Sequence, residues 1–182
     1  MPLPNQNKEY TVEDIYTLPD GVRAELIDGQ IYYMSPPGRR HQKLVAFFIS
    51  TISNYIQSHD GNCEIYPAPF AVFLNEDDKN YVEPDISVIC NPDKLNDKGC
   101  AGAPDWVVEI VSPGSRRMDY SIKLFKYRLA GVREYWIADP EKNRIMVWNF
   151  ELEDTGEYTF LDSVKVGIYE DFEVDFSTID IE

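Results

Sequence analysis

The run Trp106-Val107-Val108-Glu109-Ile110-Val111 constrains the fold more than any other stretch of this chain. Its residues are β-branched or aromatic with one exception, and Pro113-Gly114 follows it closely. A strand that is apolar at consecutive positions has no side for water, so it belongs deep in a sheet covered on both faces. That requirement calls for helices around a sheet, an α/β protein. The exception is Glu109. A buried, unpaired carboxylate costs several kcal/mol, so Glu109 demands a cation, either a basic side chain such as Arg116 or Arg133 or a metal.

The rest of the chain supplies the cover. Thr11 with Asp14 three residues on reads as a capping box that opens a short helix, stopped by Leu18-Pro19-Asp20-Gly21. Asp28-Gly29 between the β-prone runs Arg23 to Ile27 and Gln30 to Met34 is the strongest short hairpin signal. Leu44, Phe47, Phe48, Ile52, Tyr55 and Ile56 recur at helical spacing, which predicts a helix from about Arg39 to Ser58. Glu64 to Leu74 contains Pro67 and Pro69 and fits an irregular or edge strand. Tyr81 to Cys90 is expected as a strand, and Asn91 to Gly102 as a mobile loop or short helix. Tyr120, Leu124, Tyr127 and Ala130 predict a second helix over Arg116 to Ala130, with Gly131 just past its end. Glu134 to Ala138, Arg144 to Phe150, Tyr158 to Leu161 and Val164 to Phe176 complete the strands. A single domain over residues 1–182 is expected, with its core at about 38–140 and acidic strands at about 144–182.

A formal charge of −15 runs against a nucleic-acid enzyme, but the charge is unevenly placed. Asn149 to Glu182 holds eleven acids against Lys165 alone. Arg39, Arg40 and Lys43 form one basic stretch; Arg116, Arg117, Lys123, Lys126, Arg128 and Arg133, with Asp119 as the only acid among them, form another. A local basic groove is compatible with this pattern, as are ordinary solvated helix faces. The three cysteines, Cys63, Cys90 and Cys100, give no disulfide framework or zinc knuckle and read as buried thiols. The polar start, Met1 to Tyr10, lacks the features of an export signal, and no apolar run approaches the roughly 20 residues of a membrane span. A cytoplasmic protein without membrane contact is expected.

Asp85, after Pro84 and before the apolar Ile86 to Cys90, is the second acid expected beside Glu109, from a neighbouring strand. Converging carboxylates repel, and a hard divalent cation relieves that repulsion. Such a site also needs an amine to stabilise developing charge. Asp119, Lys123 and Tyr127 are spaced four apart and share one helical face, whereas Lys126 lies about 60° away around the helix.

Pro84-Asp85 followed by an apolar strand carrying Glu109 resembles the PD-(D/E)xK nuclease superfamily, although Val111 stands where that motif carries its lysine. The run Val108-Glu109-Ile110-Val111-Ser112-Pro113, with Arg117, Asp119, Lys123, Tyr127, Gly131-Val132, Glu134-Tyr135-Trp136 and Asp139-Pro140, closely resembles the Uma-two restriction endonuclease family. Glu25-Leu26-Ile27-Asp28-Gly29, Met34-Ser35-Pro36 and His41 agree with it, so the resemblance covers roughly residues 10–180. It implies that the catalytic lysine has moved to the following helix, at Lys123, with Lys126 as the alternative amine. The implied fold is restriction-endonuclease-like: a mixed central sheet flanked by helices, with a core of helix, three strands, helix and strand, plus an N-terminal hairpin and C-terminal strands.

The implied activity is Mg²⁺-dependent hydrolysis of DNA phosphodiesters, with Mn²⁺ as a substitute. Asp85, Glu109 and the Ile110 carbonyl are the expected metal ligands, Lys123 the catalytic amine, and Glu25 and His41 auxiliaries. Arg39, Arg40, Arg116 and Arg117 are candidates to contact the nucleic acid. Cutting both strands of a duplex is easiest for a two-fold homodimer. The rival readings are an inactive nuclease-fold module that binds a protein through its acidic tail or binds nucleic acid, and a small phosphate-ester hydrolase, which a closed pocket would favour.

Overall fold

In the computed structural model, which describes residues 8–59, 61–75 and 77–181, the apolar run is a strand with neighbours on both edges. Residues 1–7, where most of the expectation about export falls, lie outside the described residues. The chain begins with the short helix α1 (Val12–Tyr16), the hairpin strands β1 (Ala24–Ile27) and β2 (Gln30–Tyr33) and the long helix α2 (Arg39–Ser58). Strands β3 (Glu64–Pro67), β4 (Val72–Phe73), β5 (Ile86–Ile89), β6 (Leu95–Asn96), β7 (Gly99–Ala101) and β8 (Trp106–Ile110) come next. A second helix ending in α3 (Leu124–Ala130) leads to β9 (Glu134–Asp139), β10 (Arg144–Asn149), β11 (Asp154–Tyr158), β12 (Ser163–Lys165) and β13 (Glu173–Asp175).

Six strands form the central sheet in the order β11-β10-β9-β8-β5-β3. β8 and β9 are parallel, connected through the second helix, and the other neighbours are antiparallel. Every residue of β8 is buried. Side-chain alternation divides it. Trp106, Val108 and Ile110 pack in one layer with Leu44, Phe48, Ile52 and Ile56 of α2 and with Phe172 and Phe176 near the C-terminus. Val107 belongs to the opposite layer with Val111, Tyr127, Tyr135 and Ile137. Glu109 shares the parity of Val107, so its side chain faces the second helix.

The local signals act as expected at the N-terminal end. Asp14 accepts from the Thr11 amide at 2.9 Å, closing the capping box. Asp28 and Gly29 sit at φ 49° and 70° between the paired Ile27 and Gln30, the positive-φ pair that a two-residue hairpin turn requires. A backbone bridge from Leu26 to Tyr81 ties this hairpin to the segment preceding β5.

Several expectations are corrected or refined: the strand expected over Tyr158 to Leu161 lies earlier, at Asp154–Tyr158, and the one over Val164 to Phe176 divides into Ser163–Lys165 and Glu173–Asp175. Asn91 to Gly102 opens with a short helix, a 3-10 turn over Pro92–Lys94, as one of the two expectations had it, but continues as a hairpin rather than a loop, with β6 and β7 pairing and β7 adding β4 in parallel. The second helix is continuous over residues 116–130, but Met118–Lys123 is wound as a π-helix before α3 begins. The reading of Cys63 and Cys90 as thiols is replaced by a disulfide between them. Antiparallel pairing of Glu64 with Ile89 places the two cysteines at the next facing position, and that register could not be read from an odd count of irregularly spaced cysteines. Cys100 remains a buried thiol, pushed up to about 11 by burial. Among the described residues no helix is long and apolar enough to cross a membrane.

Candidate active site

The register of β5 against β8 builds the site. Ile86 faces Val108, so Asp85, one residue outside the strand, lies opposite Glu109. The Ile110 amide donates to Asp85 Oδ2 at 2.8 Å, and the Asp85 amide makes a long 3.4 Å contact to Glu109 Oε2. A residue in an antiparallel ladder directs its N–H and C=O to the same edge, so the Ile110 carbonyl also faces the Asp85 side. His41, in the first turn of α2, places Nε2 3.1 Å from Asp85 Oδ2. Its Nδ1 is buried without a hydrogen-bond partner among the described residues.

The cation that Glu109 demands is Lys123. Its ammonium donates to Glu109 Oε1 at 2.9 Å and to Glu25 Oε1 at 2.8 Å, with all three side chains about 5% exposed. Glu25 comes from β1 and also accepts the Glu83 amide at 3.0 Å, which fixes the hairpin over the sheet. The ion-pair alternatives are taken elsewhere. Arg116 holds Asp139 and Glu141, and Arg133 holds Asp105 and Glu151. Lys126, the alternative amine, pairs with Asp28 at the hairpin turn.

Two contributors had no role assigned from sequence. Tyr127 donates its hydroxyl to Glu109 Oε1 at 2.6 Å, and Ser115 donates to the buried Asp119 at 2.6 Å. The spacing of Asp119, Lys123 and Tyr127 put all three on one face, but it did not reveal that the Tyr127 hydroxyl would end on the carboxylate.

The site is short of positive charge. Burial raises the Glu109 carboxyl to about 8, Lys123 opposes this, and Asp85, Asp119 and Glu25 reinforce it. Burial likewise lifts Asp119 to about 6 despite Lys123 and Ser115. The Lys123 amine is disfavoured by burial, yet Glu109, Glu25 and Asp119 together hold it well above its ordinary value. One ammonium thus serves several acids, and a further cation would relieve the remainder.

The donors for such a cation are few. Among the described residues no group of three or more His, Cys, Asp or Glu side chains forms a metal cage. The available set is Asp85 Oδ1, which accepts no hydrogen bond from the described residues, Glu109 Oε2 and the Ile110 carbonyl. These are hard oxygens of the kind Mg²⁺ takes when it keeps several of its waters, and the chemistry of the set fits that ion. Glu25, His41, Asp85, Glu109, Ile110 and Lys123 all line one cavity of about 630 Å³, whose wall includes the segment from Tyr32 to Gly38. Arg39 and Arg40 are exposed at the start of α2, and Arg117 is exposed near the start of the second helix.

Known proteins resemble the chain at the level of sequence and of fold. The uncharacterized protein slr1290 of Synechocystis sp. is 29% identical over 105 residues, which is 58% of this chain. The match covers only about half of that relative's own length, 54%. The crystal structure of "a putative nuclease belonging to DUF820" from Anabaena variabilis superposes with a TM-score of 0.74 at 19% identity, over 92% of this chain and 97% of that one. A likeness at that identity speaks for the fold. Residues 12–172 match the family "Uma2: Putative restriction endonuclease". Because that match spans most of the sequence, the chain belongs to the Uma2 family.

Proposed function

We propose that this protein is a Mg²⁺-dependent endonuclease that hydrolyses DNA phosphodiesters, with Mn²⁺ able to replace Mg²⁺. The observation that carries the reading is the meeting of Asp85, Glu109 and Lys123 at one cavity, with the amine delivered from the helix rather than from β8. Asp85, Glu109 and the Ile110 carbonyl would hold the cation. The chemistry such an ion supplies is Lewis-acid polarisation of the phosphoryl group and a lowered pKa for water. Lys123 brings a permanent ammonium to the edge of the acid cluster, where it orients the attacking water and stabilises charge growing on the phosphate. Tyr127 and Lys123 bind the same oxygen of Glu109 and so turn its other oxygen toward Asp85. Glu25 holds the Lys123 amine from the far side, and His41 orients Asp85. Cleavage of both strands of a duplex further calls for two copies acting as a homodimer.

The test is nicking or linearisation of a plasmid with Mg²⁺, compared with Asp85→Ala, Glu109→Gln and Lys123→Ala, each checked for folding by circular dichroism. Removing one group that stabilises the transition state costs roughly 100-fold or more, and each variant is expected to lose at least that. Asp85 carries the most weight because its partly exposed side chain is the least needed for folding. Undiminished cleavage by all three variants rejects the assignment.

A second reading is favoured by the cavity itself. Its volume of about 630 Å³ lies within the range of roughly 300–1,000 Å³ usual for small-ligand sites. Hydrolysis of bis(p-nitrophenyl) phosphate with the plasmid left intact would select a small phosphate-ester hydrolase.

A further inference from the structure

A second depression lies beside the catalytic cavity and shares its rim. Pro113 and Gly114 line both. Beyond that turn the depression is bounded by Arg116, Arg117, Tyr120, Ser121, Lys142 and Arg144. It is thus lined by four cations and no acid, in a chain whose formal charge is −15.

The four cations are not equivalent. Arg116 is held by Asp139 and Glu141, and Arg144 by Glu157. Their charges are largely answered by the protein. Arg117 and Lys142 are exposed, and neither side chain makes an ion pair with the described residues. The Lys142 amide donates to Asp139 Oδ1 at 3.2 Å, which fixes the backbone of that turn beside Arg116. Tyr120 adds an unusual feature. Its hydroxyl oxygen is buried, yet it has no hydrogen-bond partner among the described residues. Such a group costs stability unless something answers it, and Tyr120 lines this depression.

Two unanswered cations and the exposed Ser121 side chain are what a phosphodiester backbone uses, since its oxygens accept from Arg, Lys and Ser alike. We propose that this depression is a backbone-binding track for the nucleic-acid strand, taking the phosphates that flank the one in the catalytic cavity. Arg117 and Lys142 supply the charge, and the exposed Ser121 supplies a hydroxyl donor. The track reads phosphate and not bases, so it contributes affinity without sequence preference. It explains how a strongly acidic chain could hold an anionic polymer, because the attraction is local and begins at the lip of the site. The proposal rests on the nuclease reading for its ligand.

The test measures binding apart from cleavage. Two labelled 12-base-pair DNA duplexes of unrelated sequence are titrated with the full chain in Ca²⁺ instead of Mg²⁺, with DNA integrity checked on gels. The protein variants are Arg117→Glu/Lys142→Glu and, as a control of charge reversal elsewhere, Lys165→Glu on β12. The double variant is expected to bind both duplexes at least about tenfold more weakly at 0.1 M salt and to flatten the slope of log K against log salt by roughly two, about one for each phosphate that the protein no longer neutralises. Lys165→Glu is expected to bind as the unaltered protein does. Unchanged affinity in the double variant, an equal loss in Lys165→Glu, or no binding by the unaltered protein overturns the track. A protein that binds through Arg117 and Lys142 but leaves plasmid intact in Mg²⁺ overturns the nuclease reading and spares the track.

Discussion

Glu109 was visible in the sequence because one acid in an apolar strand has to be answered. Its partner was visible only through the family resemblance, since residue spacing by itself fits an ordinary pair between Asp119 and Lys123. In the structure Lys123 turns to Glu109 and Glu25, and Asp119 takes Ser115 instead. Asp119 is left with a carboxyl lifted to about 6 from 3.8, chiefly by burial. The sign of the resulting pH effect follows from which state keeps the proton. The folded state holds it up to about pH 6, whereas the unfolded chain releases it near 3.8, so this group lowers stability as pH rises through that window. Asp119→Asn has no such slope. Thermal unfolding in EDTA should therefore show the variant gaining on the unaltered protein between pH 4 and pH 7, by up to about 3 kcal/mol for two pKa units. A constant difference across that range would contradict the shift. His41 and Glu25 were legible as candidates because of the residues around them, but not their partners, which lie 44 and 98 positions away in the chain.

Elements with a strong local signal were readable in advance. The capping box, the Asp28-Gly29 hairpin, helix α2 and strand β8 rest on residues that dictate their own backbone. The hairpin within Asn91 to Gly102 was not readable, because short strands of two or three residues exist only through their partners. Gly99 shows how tightly that partnership is drawn. It sits at φ 136°, and a Cβ there would lie 2.2 Å from the Ala71 carbonyl oxygen, the same oxygen that accepts the Cys100 amide at 2.9 Å. Gly99→Ala would force β7 away from β4 and place a side chain in a backbone region that only glycine tolerates. A cost of roughly 1–3 kcal/mol or more is expected, measurable as a lower urea midpoint. The π-wound stretch Met118–Lys123 was also hidden, since the apolar spacing of 3.6 and of slightly more residues per turn is nearly the same over so short a run. The Cys63–Cys90 link depended on the pairing of β3 with β5, which is a tertiary fact.

At the scale of the molecule, the site is assembled from regions far apart in sequence. The N-terminal hairpin gives Glu25, α2 gives His41, the end of the segment before β5 gives Asp85, β8 gives Glu109, and the second helix gives Lys123 and Tyr127. The order of these parts follows from periodicity, and the central sheet sets their spacing. The acidic C-terminal segment, which dominates the net charge, packs its Phe172 and Phe176 against the layer opposite Glu109, so the overall charge says little about the cavity beside Glu109. In the proposed site, two carboxylates from neighbouring strands hold a divalent cation while an amine from the helix stays beside them. A crystal soaked in Mn²⁺, read by anomalous scattering, tests it directly. One manganese ion is expected to bridge Asp85 and Glu109, at about 2.0–2.3 Å from their oxygens, with Lys123 Nζ still within hydrogen-bond distance of Glu109 or Glu25. Manganese bound away from both carboxylates, or a Lys123 side chain turned out of the cavity, would contradict it.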